Sequence, residues 1–274
     1  MTTATRAAHS FQGLKALVTG GGSGIGLAVV RSLAAAGCSV ALGGRRSDLL
    51  ATQAAKLRET GATALAVPGD VSSAGIARAM VEAAARNLGG LDILVNCAGV
   101  YRTGPLAAED SGRPVPDTTA ERDPVDLVID VDLKGVLFST RAAIPHLRTS
   151  DRPRAIVNVS SSLTLSPLAN CSVYSAAKAG VDALTRSLAA ELADDRIRVN
   201  AVLPGVVRTP IFDTVMLPEE AAAFLDDFGG QVPLGRIGEP DDVARAVLFL
   251  CDPTNNWITG ALLAVDGGLS LGST

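Results

Sequence analysis

Short apolar runs alternate along this chain with longer helical stretches, and that alternation excludes most folds. The runs are 15–19 (KALVT), 39–43 (SVALG), 62–67, 91–96 (LDILVN), 155–160 (AIVNVS), 197–202 and 261–265. Within them apolar residues follow one another instead of alternating with polar ones, which is the pattern of strands buried on both faces. Helical stretches lie between them at 26–36, 47–59, 72–87, 124–147, 173–192 and 240–250. Gly37 and Gly61 stand where C-terminal caps belong, and Ser47, Ser72 or Ser73, and Asp123 where N-terminal caps belong. Strands separated by helices form right-handed crossovers and a parallel sheet. The expected architecture is a single-domain, doubly wound α/β fold over 11–274, with a loose tail at 1–10. With 47% hydrophobic residues in 274, the chain has material for one large core.

The charge balance narrows the partners. There are 24 Lys and Arg against 28 Asp and Glu, a net charge of −4, which speaks against nucleic acid. No apolar run approaches the roughly 18 residues of a membrane span. The first ten residues, MTTATRAAHS, lack the apolar middle of a secretion signal. The expectation is a cytoplasmic protein with neither a membrane nor a nucleic-acid partner. Cys38, Cys97, Cys171 and Cys251 are far apart, without the paired ligands of a zinc site, so reduced thiols and no metal are expected. His9 and His146 fall in the tail and near the end of a long helix, away from the strand ends.

Sheets of this kind bind ligands beyond the carboxyl ends of their strands, and the unusual residues of this chain lie there. After the first strand comes TGGGSGIG, Thr19 to Gly26. Such a turn presents free backbone N–H groups and a helix N-terminus to a pyrophosphate, which makes Gly20, Ser23, Gly24, Ile25 and Gly26 candidate cofactor ligands. The second strand ends in Gly43, Gly44, Arg45 and Arg46, with no acid before Asp48. NAD sites place an acidic residue here and NADP sites an arginine. A guanidinium fork pairs with a 2′-phosphate, so NADP(H) is preferred and NAD(H) is the lesser choice; two solvated surface arginines are the plain alternative. Asp70-Val71 and Asn96-Cys97-Ala98-Gly99 follow the third and fourth strands and by themselves are ordinary loops. The fifth strand ends in Ser160, Ser161 and Ser162, followed by Tyr174 and Lys178. Residues four apart share a helix face. The lysine is therefore expected to lower the phenol's pKa from its usual value near 10 and make Tyr174 a usable acid or base, with Ser161 bonding the substrate oxygen.

Together these motifs resemble the short-chain dehydrogenase/reductase family from Gly13 to about Gly268. The matching residues are Thr19-Gly20-x-x-x-Gly24-Ile25-Gly26, Asp70-Val71, Asn96-x-Ala98-Gly99, Ser161, Tyr174-x-x-x-Lys178, the IRVN of 197–200, Pro204-Gly205 and the VDGG of 265–268. The resemblance implies a Rossmann-like fold of seven parallel strands, and hydride transfer between C4 of a nicotinamide and a carbonyl or alcohol carbon. It implies Tyr174 as general acid, Lys178 as the group that lowers its pKa and binds the nicotinamide ribose, and Ser161 as the group that orients the carbonyl. Asp70 and Val71 would flank the adenine, Asn96, Ala98 and Gly99 would line the cofactor, and Pro204, Gly205, Val207 and Thr209 would hold the carboxamide region. It also implies a homotetramer built on the helices at 124–147 and 173–192.

Two departures stand out. The family carries Asn in a V-N-L-x-G stretch where this chain reads VDLKG, with Asp132. That carboxylate could pair with Lys178 and weaken its effect on Tyr174. The stretch 100–123 is longer than usual and rich in Pro and Gly, either an overhang on the substrate or a surface insertion. Residues 206–235 resemble a substrate flap, and Phe212, Met216, Leu217, Phe224, Leu225 and Phe228 hint at a hydrophobic or ring-shaped substrate, or at the packing of a small helix. The leading expectation is NADPH-dependent reduction of a ketone to a secondary alcohol, or its reverse. Chemistry on a double bond is set against by the four-residue Tyr–Lys spacing. A dinucleotide-binding sensor or scaffold impaired by Asp132 is the remaining alternative.

Overall fold

The computed structural model describes residues 11–106 and 122–272. Its centre is a seven-stranded sheet made of β1 (Lys15–Thr19), β2 (Ser39–Gly44), β3 (Ala64–Pro68), β4 (Ile93–Asn96), β5 (Arg154–Val159), β6 (Ile197–Pro204) and β7 (Leu262–Val265). The order is β3-β2-β1-β4-β5-β6-β7 and every pairing is parallel. The chain winds outward from β1 in one direction, then returns to β1's other side with β4. This leaves a crevice at the carboxyl ends of β1 and β4.

Side chains of successive strand residues enter opposite cores, as the pleat requires. Ala16 and Val18 belong to one core and Leu17 to the other. The first core is closed by α1 (Gly24–Ala35), α2 (Ser47–Glu59) and α8 (Pro240–Cys251). The second is closed by α3 (Ala74–Leu88), α4 (Pro124–Val128), α5 (Gly135–Arg148) and α6 (Ser172–Glu191). All eight residues of β6 are buried, as its apolar run anticipates. A further helix, α7 (Pro218–Phe228), lies in the flap and packs Ala221 and Leu225 with Phe212 and Ile237 into a small separate cluster.

The caps follow sequence logic in part. Past α1, Gly37 sits at φ +90°, its N–H donates to the Ala34 carbonyl and the Cys38 N–H donates to that of Leu33; this glycine termination matches the expectation. Asp123 caps α4 through the N–H groups of Val125 and Asp126, at 2.7 and 3.2 Å. Ser47 does not cap α2: it is the first helical residue, Arg46 holds the cap position, and the serine hydroxyl turns to Asp48. Ser73 takes the cap position of α3 without a side-chain cap bond, because Asp70 accepts the Ser72 N–H at 2.9 Å and shapes the turn instead.

The helix expected over 124–147 is not continuous. A π-helical segment, Ile129–Lys134, separates α4 from α5. Its wider turn lets the successive residues Val131 and Asp132 both face inward. π-Helical turns are rare and gather at functional sites. Most of the expected insertion, 107–121, and the expected tail, 1–10, lie outside the described residues.

Candidate active site

The site is organised by the junction of β1 and β4. Thr19 closes β1, and its hydroxyl accepts the N–H groups of Cys97 and Ala98 at 3.0 and 3.1 Å, tying the loop after β4 to the glycine turn. At Gly20 and Gly26 the turn leaves no room for a side chain. A Cβ on Gly20, which has φ +70°, would come within 2.9 Å of the Ala98 nitrogen. One on Gly26 would come within 2.3 Å of the Gly20 carbonyl oxygen. The first N–H groups of a helix have no partner within it, and Gly24, Ile25 and Gly26 bring those of α1 to the wall of the cleft.

That cleft has a volume of about 490 Å³ and crosses the carboxyl ends of the strands. At one end stand Arg45 and Arg46, both exposed. Arg46 donates to the hydroxyl of Ser23 at 3.0 Å, so guanidinium, hydroxyl and helix terminus share one corner. The expected residues Gly20, Ser23, Gly24, Ile25, Gly26, Arg45, Arg46, Asp70, Val71, Ala98, Gly99, Pro204, Gly205, Val207 and Thr209 all line it, with Ser161, Tyr174, Lys178 and Asp132. This donor set fits a dinucleotide: a pyrophosphate at the helix start, cations at one end and an ammonium deep at the other.

Asn96 is the one expected ligand that the structure places elsewhere. It is 2% exposed, and its amide nitrogen donates to Thr140 at 3.0 Å and to Asn158 at 2.9 Å. Asn158 in turn donates to Thr185 at 2.9 Å. These side chains run as a polar strut beneath the cleft, joining β4, β5, α5 and α6. Asn96 faces this strut because the pleat turns it to the same side of β4 as Leu94, towards Thr140 of α5.

At the inner end, Ser161, Tyr174, Lys178 and Asp132 meet although the chain separates them widely. Ser161, with extended backbone, caps the start of the short helical turn after β5, while Tyr174 and Lys178 occupy one face of the first turns of α6. Lys178 Nζ lies 3.0 Å from Asp132 Oδ1, 3.1 Å from the Val159 carbonyl oxygen and 5.6 Å from the Tyr174 ring centroid. The other Asp132 oxygen accepts the Val100 N–H at 3.1 Å.

The electrostatics differ from the simple expectation. Burial is the largest influence on Tyr174 and pushes its phenol up; Lys178 and Ser161 pull it down, Asp132 pushes it up again, and the net shift is upward, not downward. Burial alone would pull Lys178 down, but Asp132 and Tyr174 together raise it above its ordinary value, so it is firmly an ammonium. Burial raises the Asp132 carboxyl, against the pull of Lys178 and the Val100 N–H.

Beyond Tyr174 the wall is aromatic. Tyr101 meets Tyr174 edge-on with ring centroids 5.1 Å apart, and meets Phe212 at 5.9 Å. Phe224 stands 5.6 Å from Phe212 and 5.3 Å from Phe228. The Tyr101 hydroxyl lies 3.4 Å from the Cys171 thiol. Sequence reasoning did not single out Tyr101. The available signal was its place two residues after Gly99, as one of only two tyrosines in the chain.

Comparison with known proteins agrees with this arrangement. A family model described as enoyl-(acyl carrier protein) reductase matches residues 20–270. The 3β-hydroxysteroid dehydrogenase 1 of Eggerthella lenta is 36% identical over 264 residues, covering 95% of each chain. The cis-4-hydroxycyclohexanecarboxylate dehydrogenase of Sinomonas cyclohexanicum is 40% identical over 256 residues, covering 92% of this chain and 95% of its own. The solved structure of a 3-ketoacyl-(acyl-carrier-protein) reductase from Brucella melitensis, complexed with NADH, superposes with a TM-score of 0.81 at 33% identity, covering 95% of this chain and 99% of its own. With its seven-stranded parallel Rossmann-like sheet and these relatives along nearly its whole length, the chain belongs to the short-chain dehydrogenase/reductase family of oxidoreductases.

Proposed function

We propose that this chain is an NADP(H)-dependent oxidoreductase that reduces a ketone on an apolar, ring-bearing molecule to the secondary alcohol, or runs the reverse. The observation that carries the proposal is the convergence of Ser161, Tyr174 and Lys178 at the inner end of one cleft whose outer end holds the glycine turn, Arg45 and Arg46. When bound, the nicotinamide supplies or accepts the hydride. The protein's own residues do the rest. The Tyr174 phenol gives its proton to the carbonyl oxygen as the carbon takes up hydride, and regains a proton from solvent. Ser161 holds the same oxygen in place. Lys178 bonds the Val159 carbonyl and pairs with Asp132, and its three donors leave one for a hydroxyl of a bound ribose.

Arg45, Arg46 and the Ser23 hydroxyl support a 2′-phosphate, hence NADP(H) ahead of NAD(H). Asp70 and Val71 line the cleft, and flank the adenine in this proposal. Pro204, Gly205, Val207 and Thr209 also line the cleft, and face the carboxamide in this proposal. Two supports favour a ring: the wall formed by Tyr101, Phe212, Phe224 and Phe228, and the steroid and cyclohexane named for two relatives. The Leu137, Phe138, Ile144 and Leu184 groove between α5 and α6 supports assembly as a homotetramer through these helices.

A second reading, a dinucleotide-binding protein with impaired turnover, draws on the Asp132–Lys178 pair. One experiment separates the two. Purified protein is mixed with NADPH or NADH and a panel of cyclic and open-chain ketones, and consumption of reduced cofactor is followed. Turnover of cyclic ketones with NADPH above NADH is the expected outcome. Tight NADPH binding without turnover across the panel would overturn the enzymatic assignment.

A further inference from the structure

Asp132 and Lys178 form an ion pair nearly cut off from solvent, at 0% and 5% exposure, beside a phenol that is itself 9% exposed. The pair is held from several sides. Lys178 donates to the Val159 carbonyl and pairs with the carboxylate at 3.0 Å. The second carboxylate oxygen is fixed by the Val100 N–H. Gly99 makes the space, since a Cβ there would stand 2.7 Å from Asp132 Oδ1. The π-helical segment turns Asp132 inward to reach the lysine.

The groups facing Tyr174 can be taken element by element. Lys178 comes from α6, Cys171 from its N-cap, Asp132 from the π-helical segment, Tyr101 from the loop after β4, and Ser161 from the turn after β5. Cys97 faces Lys178, and Arg102 adds a positive charge on the Asp132 side. Burial pushes the Cys97 thiol up to about 12 and raises Tyr101 as well, so both stay neutral. The charges nearest the phenol are therefore one ammonium and the carboxylate paired with it, with Arg102 acting on that carboxylate from the other side.

We propose that Asp132 is a positioning residue whose charge opposes that of Lys178 at the phenol, favours the protonated form of Tyr174 at neutral pH, and so favours proton delivery in reduction over proton uptake in oxidation at that pH. The consequence for direction rests on the proton-transfer role proposed for Tyr174; the titration of Tyr174 does not. An unopposed ammonium at this distance would favour the phenolate. Paired, its field at the phenol is opposed by that of the carboxylate. Burial raises the phenol most, and the carboxylate adds to that rise.

The chain's two tyrosines allow a direct test. In a Tyr101→Phe background one phenol remains, and its ionisation is read by ultraviolet difference absorbance after rapid pH jumps, before alkaline unfolding. Asp132→Asn, which keeps the shape and removes the charge, should lower the phenolate midpoint by about one unit or more. Lys178→Met, which removes the cation and leaves the carboxylate, should raise it. In alcohol oxidation the acid limb of the pH–rate profile should move down in Asp132→Asn, with the change in kcat and little in KM. A midpoint in Asp132→Asn at or above that of the background overturns the proposal. Should that variant fail to fold, an unmoved midpoint in Lys178→Met overturns it equally. A shifted midpoint in a protein that turns over no ketone would defeat the proposed function and still support the charge-opposing role.

Discussion

Arg46 shows how one side chain can bear on cofactor choice. Its guanidinium is exposed and holds Ser23, the residue at the N-cap of α1. A cation at a helix N-terminus opposes the helix dipole, so the arrangement is mildly unfavourable until an anion arrives between them. Charge-assisted bonds of this kind contribute roughly 1.5–3 kcal/mol each. Replacing Arg45 and Arg46 together with Ala should weaken NADPH binding by about 10-fold or more, and leave NADH binding within a few-fold. Isothermal titration of both cofactors checks this. Equal losses for the two would mean that the arginines serve no 2′-phosphate.

At the scale of elements, β6 and α8 are joined by one buried cation. Arg198, 8% exposed, donates to the carbonyls of Leu250 and Ile258 at 2.7 and 3.2 Å and to those of Cys251 and Asp252 at 3.2 and 3.3 Å. Three of these acceptors stand at the C-terminal end of α8, where carbonyls lack helical partners and the dipole is negative. Burial pulls the guanidinium below its ordinary pKa, but far too little to neutralise it. Arg198→Met keeps the apolar stem and orphans the carbonyls. It should destabilise the fold by about 3 kcal/mol, read as a lowered midpoint in urea unfolding with the slope unchanged. A loss below about 0.5 kcal/mol would show that solvent satisfies these carbonyls without the arginine. The IRVN stretch that helped mark the family in sequence is, physically, this clamp, together with Asn200, which bonds the Ile258 carbonyl and the Ala261 N–H at both 3.0 Å.

Across the whole molecule, the order of strands and helices was legible because a sheet buried on both faces writes continuous apolar runs, and β1 and α8 fall within a residue of their expected bounds. The glycine turn was legible because close backbone approach at Gly20 and Gly26 admits no other residue. What stayed hidden depended on contacts that local pattern does not encode. The π-helical segment keeps the same apolar spacing as an α-helix, so 124–147 reads as one element. Ser47 and Ser73 carry capping side chains, but their hydroxyls are not used as caps. Asn96 sits in the right motif yet faces the strut beneath the cleft. The sign of the Tyr174 shift could not be read from the Tyr–Lys spacing, since it is decided by burial and by a carboxylate 46 positions from Lys178.

The account stands on Tyr174 as the group that passes a proton at the inner end of a dinucleotide cleft. Its most direct test is the rate of ketone reduction by Tyr174→Phe at saturating NADPH. A general acid contributes about 10²–10⁴-fold, so kcat should fall by about 100-fold or more while NADPH still binds. A variant that reduces the ketone within about two-fold of the parent rate would contradict the account.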